Sequence, residues 1–212
     1  MVLRVTFSDA LIVFFLTLGP LKAIAPFARL TRGATSAFCR NLAWRATAIA
    51  TLLVIVVALL GSLVLQNWNV SVAAIIITGG IILFCQAFQM VIQPPGVEPP
   101  EPPSDVAQSA PTLRSAQFSF AVPALVSAPS IAAIAGFMAI AGNDWTQKGI
   151  VLVSLLVIMG LNLVVFLNFE KLVKQHPNPG LQLLGWVMAI LQATLAAQYV
   201  INGLVRLGAL SG

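Results

Sequence analysis

Long apolar runs separated by short polar connections dominate the pattern of this chain. A helix needs about 20 predominantly apolar residues to cross the hydrocarbon core of a bilayer. Runs of about that length occur at roughly 8–30, 43–65, 70–92, 117–141, 149–169 and 181–206. The pattern therefore predicts an all-α membrane protein with six transmembrane helices, called spans one to six below.

Spans one and four are each interrupted by proline. Span one contains the stretch Leu18–Pro26, which holds two prolines, a glycine and a lysine, and span four contains Pro129. Proline lacks an N–H and clashes with the preceding turn of a helix, so it frees backbone polar groups. Inside a bilayer such groups are tolerated only where they are buried in protein or line a polar cavity. We therefore expect both helices to be broken near the midplane of the membrane.

The two interruptions belong to an internal repeat. Pro129 follows Pro20 by 109 residues (129 − 20), and the same offset without a gap places Gln198 on Gln89. Three is an odd number of crossings, so the second half enters the membrane from the opposite side. The result is an inverted repeat, an architecture common among secondary transporters. We predict a first three-helix repeat at 1–93, a proline-rich cytoplasmic linker at 94–116 and a second three-helix repeat at 117–212.

Composition agrees with a membrane protein. Of the residues 59% are hydrophobic and 8% charged, and the mean hydropathy is +0.98, whereas soluble domains carry roughly a quarter charged residues. The lipid bilayer is therefore the expected partner of most of the surface.

The net charge of +5 is spread over the connections, which gives no support to nucleic-acid binding. Cys39 and Cys85 lie in unlike settings, so packing explains them better than a disulfide or a metal site.

The basic residues predict an orientation. The connections between spans one and two, three and four, and five and six hold Arg29, Arg32, Arg40, Arg45, Arg114, Lys171 and Lys174. The opposite side holds only Arg4, Lys148 and Arg206. Because positive charge accumulates on the cytoplasmic side, we expect a multi-pass protein of the cell inner (plasma) membrane with both termini outside the cytoplasm.

The interruptions are the best candidates for a binding site. If Gly19 and Ala128 each close one half-helix, Pro20 and Pro129 can open the next at its first position. Each new N-terminus then presents unpaired N–H groups and about half a positive charge. Two such ends meeting in the membrane would suit an anionic group such as a carboxylate. The alternative is a pair of proline kinks that neighbouring helices satisfy, with no ligand.

Lys22 is the only charged residue well inside a predicted span. A charge within the bilayer costs at least about 2.5 kcal/mol, which makes it a candidate for function. It either partners a substrate carboxylate or gates a cavity, or it snorkels toward the end of the span near Leu30. Gln89 and Gln198 occupy equivalent depths in the repeat and are predicted to line the cavity. The full predicted substrate-binding set is Gly19, Pro20, Lys22, Ser127, Ala128, Pro129, Ser130, Gln89, Gln198 and Asn202.

The sequence contains no motif that indicates an enzyme. The six acidic residues lie at span ends or in connections, and we find no Ser-His-Asp set, metal-ligand cluster or Walker loop. We therefore expect no catalytic residues, no metal and no cofactor. Coupling of transport to Na⁺ or H⁺ would rest on backbone carbonyls and amide side chains.

At four places the sequence resembles the MarC family of small membrane proteins. They are Gly19-Pro20, Gly79–Phe84, Pro123–Pro129 and Ala196–Gly203. The resemblance covers nearly the whole chain and implies six spans, a variable cytoplasmic linker and repeated breaks in the first and fourth spans. It also implies a relation to LysE-type exporters, and some members are assigned to transport of small neutral amino acids.

The chain departs from that family pattern near its breaks. Members usually carry Gly-Asn shortly after the first proline, where this chain has Leu21-Lys22-Ala23, and Gly after the second, where it has Ser130. The Asp of many members in the last helix is Asn202 here.

Two functions follow as hypotheses. The first is a secondary transporter of small polar solutes such as small neutral amino acids, which binds its solute between the breaks and alternates access by rocking of the two halves. The second is a non-transporting membrane scaffold or stress-linked protein that binds partners through the proline-rich linker. A homo-oligomer is compatible with both.

Overall fold

The computed structural model describes residues 5–31, 33–67, 70–92, 125–169 and 179–208. The secondary-structure elements in these ranges are α-helices, and the described residues contain no β-strand. The helices are α1 (Phe7–Leu18), α2 (Pro20–Thr31), α3 (Ser36–Asn67), α4 (Val72–Ile92), α5 (Ala128–Ala141), α6 (Trp145–Leu167) and α7 (Pro179–Arg206). The predicted linker at 94–116 lies outside the described residues.

Five helical stretches in the described residues are long and apolar enough to cross a membrane. They are Phe7–Ala28, Ser36–Gly61, Val72–Ile92, Trp145–Leu167 and Gly185–Arg206. Predicted span four is represented only by α5, whose 14 apolar residues make a helix about 21 Å long. This is shorter than the roughly 30 Å of the hydrocarbon core, and residues 117–124 of the predicted span lie outside the described ranges.

The break in span one is present. Helix α1 ends at Leu18, α2 begins at Pro20, and Gly19 between them is extended, with φ −68° and ψ 166°. Proline explains both sides of this boundary, because its ring excludes the α conformation from the preceding residue and suits the first position of a helix. The prediction that Gly19 and Pro20 separate two helical segments is confirmed.

Helix α5 begins one residue earlier than the predicted second break, and the part of span four before residue 125 lies outside the described residues. Ser127 is the extended residue that precedes α5, with φ −111° and ψ 165°, and Ala128 is already the first helical residue. Ala128 therefore does not close a preceding segment, and Pro129 stands at the second position of α5. The first turn of a helix accepts proline at this position because its N–H groups need no partner within the helix.

The broken pair α1 and α2 lies at the centre of the buried core. Helix α6 contacts both of them, α5 contacts α1, and α3 lies against α5 and α6. Phe27 of α2 stacks on Phe166 of α6 with ring centroids 4.8 Å apart, and Phe14 of α1 meets Phe137 of α5 edge-on at 5.2 Å. Large apolar side chains on the outer faces of α3, α4, α6 and α7 remain exposed, as a lipid-facing surface requires.

Helices α4 and α7 make the most extensive helix–helix contact, and glycine permits it. A Cβ at Gly80 would lie 2.8 Å from Val200 Cγ2 and 2.9 Å from the Ala196 carbonyl oxygen. Gly203 meets Ala73 and the side chain of Ile77 in the same way. Small residues let helix backbones approach closely in membranes. Because the start of α4 meets the end of α7, the two helices run antiparallel.

Candidate functional site

The carboxyl end of α1 supplies backbone acceptors inside the protein. The last four carbonyl groups of a helix have no partner within it. Here the Thr17 carbonyl oxygen accepts hydrogen bonds from Lys22 Nζ at 3.2 Å and from Ser130 Oγ at 3.0 Å. The Leu18 carbonyl oxygen accepts one from Asn162 Nδ2 at 2.8 Å. Side chains from α2, α5 and α6 therefore complete the end of α1.

Four of these groups close a ring of hydrogen bonds, which we call the break ring. Besides Thr17, Lys22 Nζ donates to Ser127 Oγ, and Ser127 Oγ lies 3.0 Å from Ser130 Oγ. The single hydroxyl hydrogen of Ser130 goes to the Thr17 carbonyl, so Ser127 must be the donor to Ser130. The break ring thus consists of Lys22 Nζ, Ser127 Oγ, Ser130 Oγ and the Thr17 carbonyl oxygen, and it joins the two breaks directly.

The geometry shows which way Lys22 points. Its ammonium reaches back to Thr17, toward the carboxyl end of α1, and not along α2 toward Leu30. The end of a helix carries about half a negative charge, so the cation lies where α1 attracts it. A snorkelling Lys22 is therefore not what the structure contains.

Asn162 of α6 makes a helix–helix hydrogen bond to the end of α1. It is fully buried on α6, and its Nδ2 also contacts the Ile158 carbonyl at 3.1 Å. Its Oδ1 is buried and has no hydrogen-bond partner among the described residues. Sequence reasoning missed Asn162 and Thr17 as members of the site. The signal for Thr17 would have been its place in the last turn of the helix before Pro20, where carbonyl groups have no partner within the helix.

A second group of predicted residues lines a cavity of about 190 Å³ at the N-terminal end of α1. Gln198 and Asn202 of α7 line it together with Asp9 and Tyr199, and Gln198 Nε2 donates to Asn202 Oδ1 at 3.0 Å. Val13 lines the same cavity and lies four residues before Thr17. At 1.5 Å per residue, the cavity wall is about 6 Å along α1 from the break ring.

The predicted residues thus fall into two neighbouring groups. Gly19 and Pro20 are buried at the break, whereas Ala128 is exposed and Pro129 half-buried at the start of α5. Gln89 is exposed on α4 and does not line the cavity of Gln198. A binding role for these residues stays a prediction.

Gly19 has a steric reason to be glycine. A Cβ at this position would overlap the carbonyl oxygen of Phe15. The tight exit of the chain from α1 into α2 therefore leaves no room for any side chain. This exit sets the direction in which α2, and with it Lys22, returns toward Thr17.

The apolar helices with lipid-facing outer surfaces define a multi-pass integral membrane protein. Comparison with known proteins makes the assignment narrower. The pattern of the MarC family integral membrane proteins matches residues 4–207, and the chain belongs to this family.

Relatives of similar length support the same assignment. The chain is 26% identical over 191 residues to the UPF0056 membrane protein MJ1677 of Methanocaldococcus jannaschii, covering 90% of this chain and 91% of that protein. It is also 26% identical over 208 residues to a UPF0056 membrane protein of Archaeoglobus fulgidus, covering 94% and 92% respectively. No solved structure matches the chain.

Proposed function

We propose that this protein is a secondary transporter of small polar solutes, with small neutral amino acids as the leading class, and not an enzyme. The observation that carries the proposal is the break ring. Lys22 and Thr17 at the first break share hydrogen bonds with Ser127 and Ser130 at the second. Broken helices that meet at the interface of two repeats are where secondary transporters bind their substrates.

The contact between α4 and α7 supports an inverted repeat of 1–93 and 117–212. Gln192 Nε2 of α7 donates to the Leu83 carbonyl of α4 at 3.3 Å, and the two residues are 109 positions apart. This is the same offset that relates Pro20 to Pro129. Two repeat-equivalent residues that contact each other lie close to the axis that relates the two halves. A twofold axis in the membrane plane makes the two helices that carry them antiparallel, which is how α4 and α7 run. We propose that α5 is part of span four, which would bring the five helical stretches long enough to cross a membrane to the six spans that two such halves require.

The cavity at Gln198 and Asn202 is proposed as the entrance. It lies beside the start of α1, on the side of the termini, and the distribution of basic residues predicts that this side faces away from the cytoplasm. Its amide groups and the Asp9 carboxylate can accept and donate hydrogen bonds to a zwitterion. The break ring below it then acts as the gate, because Lys22 uses two of its three N–H groups in the ring and has one left for a substrate carboxylate.

Flux through proteoliposomes tests the proposal. Uptake of labelled alanine, serine and threonine would be measured for wild type, Lys22→Met and the control Lys148→Met, whose ammonium lies over the Trp145 ring at 5.1 Å. We expect saturable uptake in wild type and the control, and a loss of at least tenfold in Lys22→Met. Equal uptake by all three proteins, or no flux above protein-free vesicles for any small polar solute, would contradict the proposal.

The scaffold alternative depends on the linker at 94–116, outside the described residues, and stays a prediction. A homo-oligomer likewise stays a prediction.

A further inference from the structure

The ammonium of Lys22 lies among oxygen atoms at the carboxyl end of α1. Lys22 Nζ donates to the Thr17 carbonyl oxygen and to Ser127 Oγ, and Ser130 Oγ is hydrogen-bonded to both of these oxygens. Oxygen ligands of this kind are those that hard metal cations prefer. In broken-helix transporters, exposed backbone carbonyls and half-helix C-terminal ends hold Na⁺.

The charge of the oxygen set selects a monovalent cation. None of these three oxygens belongs to a carboxylate, and protein sites for Ca²⁺ and Mg²⁺ depend on carboxylates. The end of α1 supplies about half a negative charge. A single positive charge therefore matches the site, and the compact ammonium of Lys22 is such a charge on a flexible stem.

We propose that the Lys22 ammonium is a covalently attached substitute for a monovalent metal cation, and that removing the Lys22 side chain turns the end of α1 into a Na⁺ site. The intact protein then binds no Na⁺ at this end. The inference goes beyond the proposed function, because it does not require that the chain transports anything.

Thermal unfolding of the full chain in detergent tests the proposal. Wild type, Lys22→Ala and the control Lys148→Ala would be unfolded in choline chloride, NaCl and KCl at equal ionic strength. We expect the midpoint of Lys22→Ala to rise by about 4 °C or more in NaCl relative to choline chloride, with a saturating dependence on concentration. Wild type and Lys148→Ala should show no such difference. A larger rise in KCl than in NaCl supports the site equally, with K⁺ as its preferred ion.

Equilibrium binding of radioactive Na⁺ gives a second readout. Lys22→Ala should bind one ion per chain and wild type none, and adding Ser127→Ala to Lys22→Ala should raise the Na⁺ concentration for half-saturation at least fivefold, because a ligand oxygen is lost. If Lys22→Ala does not yield folded protein, Lys22→Gln takes its place in both measurements. A folded Lys22 variant without a cation-dependent rise, or the same rise in wild type, overturns the proposal.

Discussion

Replacement of Ser130 by alanine would measure how much the break ring contributes to stability. Ser130 is fully buried, donates to the Thr17 carbonyl at 3.0 Å and accepts from Ser127 at 3.0 Å. Alanine removes both hydrogen bonds without creating a large cavity. Side-chain hydrogen bonds between membrane helices contribute about 0.6 kcal/mol on average, with a maximum near 1.7. Loss of the two bonds should therefore destabilise the fold by about 1 to 3 kcal/mol.

The matched control is Ser154→Ala on α6. Ser154 is also fully buried, but its Oγ donates only to the Ile150 carbonyl of its own helix, at 2.8 Å. Its loss should cost less than about 0.5 kcal/mol, because such local bonds do little for a helix.

Thermal unfolding of the purified proteins in detergent separates the two cases. At about 2 to 4 °C per kcal/mol for a chain of this size, Ser130→Ala should lower the midpoint by about 2 to 12 °C and Ser154→Ala by at most about 2 °C. Equal midpoints for the two variants would refute the inference that the ring holds the two breaks together.

Three further predictions follow from the same contacts. Gly19→Ala should yield little folded protein, because the new Cβ would overlap the Phe15 carbonyl oxygen. The control Gly61→Ala, which has open space around its Cβ, should purify normally, and similar yields of the two variants would contradict this. Gly80→Ala should lower the free energy of unfolding, measured by chemical denaturation, by about 1 to 3 kcal/mol. The control Gly160→Ala, whose Cβ would meet nothing within 4 Å, should leave it unchanged, and equal effects would exclude a tight crossing of α4 and α7. In a background without native cysteines, Asn202→Cys should react with an impermeant thiol reagent added outside cells, and reaction only from the cytoplasmic side would reverse the proposed orientation.

The break between α1 and α2 could be predicted from the sequence because it depends only on residues that are adjacent in the chain. The separation of α1 from α2 at Gly19 follows from the geometry that proline imposes on its neighbour and on its own turn. Span four was harder to place, since whether Ala128 ends one segment or begins the next depends on a few backbone angles. Apolar length alone identified the long helices α3, α4, α6 and α7, because hydrophobic burial in lipid needs no specific partner.

The candidate site was only partly predictable because much of it is backbone. Thr17 contributes a carbonyl oxygen, a group every residue has, so its side chain gave no signal. Asn162 binds the Leu18 carbonyl across 144 positions of sequence, and this pairing is set by how α6 lies against α1. The repeat treats Gln89 and Gln198 as equivalent, but only Gln198 lies beside the cavity at the start of α1, since the two halves do not place the same neighbours around them.

The proposed transport requires that the two breaks meet in a gate that water and solute reach. Labelling of Ser127→Cys with impermeant thiol reagents, applied to each side of oriented membranes, tests this requirement, with the buried Ser154→Cys as the unreactive control. If the breaks form such a gate, Ser127→Cys reacts from both sides and reacts more slowly when a transported amino acid saturates the protein. If Ser127→Cys stays as unreactive as Ser154→Cys from both sides, the breaks are a sealed helix contact and not a solute pathway.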